Sequence, residues 1–120
     1  MSEPRPAPRT QPRKARRISA DYLHNAALYY LERYAASSGR VRHILLQKVK
    51  RSCRDHPDQI EHDLIPLVDQ EIIRLQNVDL LNDEKLAGFL VDGYRGRGMS
   101  ARLIAIKLQQ KGFDRALIAR

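Results

Sequence analysis

His56, Asp58 and His62 are the residues whose types could hold a metal ion. A zinc helix places two histidines four residues apart so that both imidazoles leave one face, and it needs a third strong ligand. Neither condition is met here, so no metal site is expected. His24 and His43 stand alone at helix positions and are expected at the surface or the core edge. Cys53 stands among Lys50, Arg51 and Arg54. Such neighbours favour the thiolate, but no His and acid are arranged to make it a nucleophile, so a small packed side chain is expected. The run "GYRGRG" lacks the preceding strand and the following Lys-Ser/Thr of a phosphate loop and reads as a turn between helices. Tyr30, Tyr34 and Tyr94 fall on apolar faces and are expected in the core, leaving Tyr22 and Tyr29 as possible stacking residues. Nothing here assembles a catalytic site, and the protein is read as a non-enzyme that uses no cofactor.

What stands out instead is positive charge. The 120 residues carry 22 Lys and Arg against 14 Asp and Glu, a formal net charge of +8, which points to an anionic partner. The charge is segregated. Between Ser38 and Arg54 lie Arg40, Arg42, Lys48, Lys50, Arg51 and Arg54 with no acid, whereas 55–84 is predominantly acidic and 93–120 is basic again. Cations unrelieved by interspersed acids suit an anionic surface better than internal ion pairing. Arg40, Arg42, Lys48, Lys50, Arg51, Arg95, Arg97, Arg102, Lys107 and Lys111 are therefore the candidate contact residues.

The elements that must position them repeat. "SGRVRHILLQKVK" from Ser38 and "SARLIAIKLQQKG" from Ser100 align without a gap, pairing Ser38 with Ser100, Arg40 with Arg102, Ile44 with Ile106 and Leu46 with Leu108. Apolar residues at three-four spacing predict helices throughout. Leu23, Ala26, Ala27, Tyr30 and Leu31 define the first helix, with Ser19 as its cap, and Val41, Ile44, Leu45 and Val49 define the second. Asp58 and Glu61 are spaced as a reciprocal cap for a third helix, in which Pro66 predicts a kink or break. Asn82 or Asp83 starts a fourth, the copy at Ser100 is the fifth, and Asp114 caps a short sixth. No segment alternates as a strand would. The fold class is all-α, tandem three-helix repeats, the first complete over 19–78 and the second truncated over 79–120. Residues 1–18, rich in Pro and Arg, are expected to form a disordered basic arm.

One cysteine precludes an internal disulfide, and no apolar run approaches the ~18 residues that span a bilayer, so a reducing, cytoplasmic setting is expected. The ordered runs "ALYYLERYAASSGRVRHILLQKVKRS", "LLNDEKLA" and "RGMSARLIAIKLQQKGF" resemble the RecX family of regulatory proteins. That resemblance implies an elongated stack of three-helix units lying in the groove of the RecA filament on DNA and inhibiting RecA recombinase and ATPase activity in repair and recombination, with the chain read as a monomer. Members often carry Ser-x-x-Glu at the start of the second helix and a complete second and third unit. Here Arg40 follows Ser37 at that spacing, and the second unit is short. The competing reading is a general basic helical module that binds nucleic acid through phosphates without a protein partner, touching DNA directly.

Overall fold

The structure is a computed structural model that describes residues 14–118. These form six helices, α1 (Ala20–Arg33), α2 (Ser38–Asp55), α3 (Glu61–Asn77), α4 (Asp83–Gly96), α5 (Ala101–Gln110) and α6 (Arg115–Ile118), with no strand among the described residues. The all-helical repeat expectation holds.

Side-chain caps start five of them, and for α6 it is Asp114, whose Oδ1 accepts from the Ala116 N–H at 3.0 Å as expected. Ser19 Oγ accepts from the Tyr22 N–H, Ser37 Oγ from Arg40, Asn82 Oδ1 from Lys85 and Ser100 Oγ from Leu103, each satisfying one of the orphan donors of a helix N-terminus. Three ends stop through a left-handed residue, at Asp79, Gly98 and Gly112. In each the next N–H reaches back five residues, as when Phe113 donates to Leu108 O at 3.1 Å, and the apolar pair Leu108/Phe113 closes the stop. The start of the third helix departs from expectation. α3 has no capping box, because Asp58 turns away to Arg17 and Ile60 occupies the cap. Of the kink or break expected at Pro66, the break is absent, and α3 runs on past the proline. The proline lies in the first two turns, so the helix loses only one internal bond there. The run read as a turn, "GYRGRG", is mostly helix: α4 continues through Gly96, and only the residues after it turn.

α1, α2 and α3 bury Leu23, Ala27, Val41, Leu45, Val49, Val68, Ile72 and Leu75 in one core. A smaller core holds Ala87 and Tyr94 of α4, Ile104 and Leu108 of α5, and Phe113. The two bundles lie along a body of 60 × 39 × 24 Å. Caps fix how they correspond. Ser19 and Asn82 stand 63 residues apart, and so do Ser37 and Ser100. Buried Val41 then matches buried Ile104, and Leu45 matches Leu108. The gapless alignment that set Ser38 against Ser100 is one residue out of register. Two adjacent serines offer two possible caps, and tertiary contacts choose Ser37.

Those contacts join the bundles. The Ser37 hydroxyl donates to the Lys111 carbonyl at 2.9 Å while accepting from Arg40. The Ser38 N–H and hydroxyl both donate to Asp83 Oδ1, at 2.7 and 3.0 Å. The carbonyl end of α5 and a carboxylate of α4 thus both meet the positive N-terminal end of α2, a favourable arrangement of dipoles and charge. Approach is close enough that a Cβ at Gly39 would sit 2.3 Å from the Gly112 carbonyl oxygen.

The end of the segment expected to be a disordered arm over 1–18 is instead held in place. Residues 1–13 lie outside the described residues, but Ala15 to Ile18 are tied down. Ala15 N–H donates to Asp55 at 2.7 Å, Ser52 Oγ donates to Arg16 O at 2.6 Å, Ile18 N–H donates to Gln59 at 2.9 Å, and Arg17 bonds Asp58. The sequence hid this because its partners are single polar side chains scattered over 52–59.

Candidate functional site

On α2, residues at i, i+4, i+8 and i+11 from Val41 face the core, which leaves Arg40, His43, Gln47, Lys50, Arg51 and Arg54 on the opposite, exposed side. Among the described residues Lys50, Arg51 and Arg54 make no hydrogen bond or ion pair. Three cations within one turn repel one another mildly, a cost that an anionic partner removes. Arg51 and Arg54 also lie at the carbonyl end of α2, where cations are favoured. Arg54 was not among the residues singled out from the sequence, although its three-residue step from Arg51 on the same face was the available signal.

The other candidates divide. Arg42 leaves the strip: its Nε donates to Asp69 of α3 at 2.6 Å, and that bond holds the guanidinium above its ordinary pKa. Lys48 and Lys107 are half-buried at the flanks. Arg40 is exposed at the head of the strip, its Nε 3.5 Å from the Tyr30 hydroxyl. Arg95 and Arg97 lie at the carbonyl end of α4, with the Arg97 guanidinium 5.8 Å from the centre of the Tyr94 ring. Arg102 and Lys111 are exposed at either end of α5.

The corrected register changes what repeats. Position 40 corresponds to Leu103, 43 to Ile106 and 102 to Gly39. The outer face of α5 therefore presents Leu103 and Ile106, 49% and 44% exposed, where α2 presents Arg40 and His43. The cations of the two bundles do not occupy equivalent positions apart from Lys48 and Lys111. Among the described helices the densest run of exposed cations is that of α2.

Several of the remaining reactive types serve structure, while His43 and His62 are exposed. His56 Nε2 lies 2.7 Å from the Ala15 carbonyl and Asp58 binds Arg17, so both anchor 15–18. The hydrogen bond from Arg17 pulls the Asp58 carboxyl below its usual range. Burial, with Glu61 adding to it, pushes the Cys53 thiol up rather than down, so the nearby cations do not activate it. His24 is not isolated: its Nδ1 lies 2.6 Å from Oε2 of Glu71, which is 5% exposed, linking α1 to α3. Of the tyrosines, Tyr94 is buried as expected, Tyr22 packs against the first core, and Tyr29 is 61% exposed with the Arg33 guanidinium 3.8 Å from its ring centre. Tyr34, expected in the core, is 57% exposed. No described helix is long and apolar enough to cross a membrane.

The described residues thus form two stacked helical bundles with a cation face on one helix. The chain is 37% identical over 109 residues, 91% of its length, to the regulatory protein RecX of Myxococcus xanthus (strain DK1622). Over those residues the chain is similar to that regulatory protein, in line with the resemblance carried by the three quoted runs. It spans 58% of that relative's length. No family model matches, and no solved structure matches.

Proposed function

We propose that this protein docks on the RecA filament assembled on DNA and regulates it, chiefly by inhibiting recombinase activity and ATP hydrolysis, as a cytoplasmic monomer that catalyses nothing itself. The observation that carries the reading is the unpaired cation face of α2, set on a chain similar to a RecX protein. Arg40, Lys50, Arg51 and Arg54 form the primary contact, and Arg95, Arg97, Arg102 and Lys111 lie farther along the body. Arg42, Lys48 and Lys107 support it from the flanks. The mechanism is occupancy. A rigid body 60 Å long, its bundles locked through Ser37, Ser38 and Asp83, would restrain the changes in subunit spacing that accompany ATP turnover in a filament it spans.

The test is a titration into DNA-stimulated ATP hydrolysis by RecA. The expected result is a dose-dependent fall that is lost in the Lys50→Glu/Arg51→Glu/Arg54→Glu variant; hydrolysis indifferent to the wild-type chain would overturn the reading.

A further inference from the structure

Between the bundles runs an apolar cleft of about 470 Å³ whose lining includes Tyr30, Tyr34, Leu86, Phe89, Arg40 and Lys111. Phe89, on α4, is 75% exposed. Tyr34, at the end of α1, is backed by Tyr30 with ring centres 4.9 Å apart and planes at 39°. Large aromatic surfaces left open on both walls are unusual where two packed cores lie nearby. A second cleft shares Tyr34, Leu86 and Phe89 and extends the groove toward Leu80 and Lys85, with Asp79 the acid at that end. Cations thus outnumber acids along the groove, and they flank the rings rather than cover them.

We propose that this inter-bundle groove binds unpaired nucleotides of a single nucleic-acid strand, with a base stacked on Tyr34 and Phe89 and its phosphate held by Arg40 and Lys111. Exposed rings beside cations are the combination by which proteins take single strands: every base has a π face, and the backbone supplies the charge. A cleft of this size suits a nucleotide. Duplex bases are stacked on one another and cannot enter, so the groove discriminates by strandedness. An acidic apolar peptide would satisfy the cations, but four aromatic residues lining one cleft, Tyr30, Tyr34, Phe89 and Phe113, favour a planar ligand.

Binding of fluorescein-labelled oligo-dT and of a duplex of equal length, measured by anisotropy without RecA, tests the assignment independently of the filament reading. Phe89→Ala and Tyr34→Ala, both at exposed positions, are each expected to weaken oligo-dT binding about tenfold with duplex affinity unchanged, and Tyr34→Phe to retain wild-type binding. Circular dichroism confirms that the variants fold. Unchanged oligo-dT affinity in both alanine variants, equal losses on single strand and duplex, or losses confined to an acidic Phe-containing peptide would overturn it.

Discussion

Ser37 shows how much one side chain can decide. Its hydroxyl caps α2 and also donates to the end of α5, so Ser37→Ala removes a helix cap and an inter-bundle bond together. The expected cost is about 1–2 kcal/mol, read from thermal or urea unfolding. Gly39→Ala is a sharper case: the added methyl would meet the Gly112 carbonyl at 2.3 Å, and overpacking of this kind costs about 1–3 kcal/mol. Cys53 is expected to react with iodoacetamide more slowly than a free thiol at pH 8, since its raised pKa leaves less thiolate; a faster rate would show the neighbouring cations prevailing over burial.

At the scale of elements, the anchoring of 15–18 should depend on pH. The folded pKa of Asp58 lies below its unfolded value, so the Arg17 bond contributes fully above the unfolded carboxylate pKa and is lost as pH falls through the depressed one. Exchange of the Ile18 amide, held by Gln59, should therefore rise on acidification relative to amides in α2. Helix existence, the caps at Ser19 and Asp114 and the apolar stripes were all legible, because they depend on spacing within one element. What was not legible depends on contacts between elements. Ser37 and Ser38 are equivalent as local caps until Lys111 and Asp83 take one each, and that single-residue shift moved Arg102 out of correspondence with Arg40. Asp69 withdrew Arg42 from the strip and Glu71 claimed His24 for the same reason: a partner on another helix leaves no mark at fixed spacing. Gly93 and Gly96 looked like turn residues, yet α4 runs through them, since packing of Tyr94 offsets their weak helix propensity.

At the scale of the molecule, two bundles locked at one joint form a body with a positive long helix on one and exposed apolar residues on α5 of the other. If that asymmetry sets orientation on a filament, the α2 face carries the electrostatic contact, and binding should weaken with salt. Reversal at Arg95 and Arg102 should matter less than reversal on α2. The most direct measurement is the affinity of the wild-type chain, of Lys50→Glu/Arg51→Glu/Arg54→Glu and of Arg95→Glu/Arg102→Glu for RecA filaments held on single-stranded DNA with a non-hydrolysable nucleotide. The expected result is tight wild-type binding, a loss of at least about tenfold in the α2 variant from three removed charge contacts and a smaller loss in the other, with helicity retained. Equal affinity for all three would contradict the assignment of α2 as the docking face.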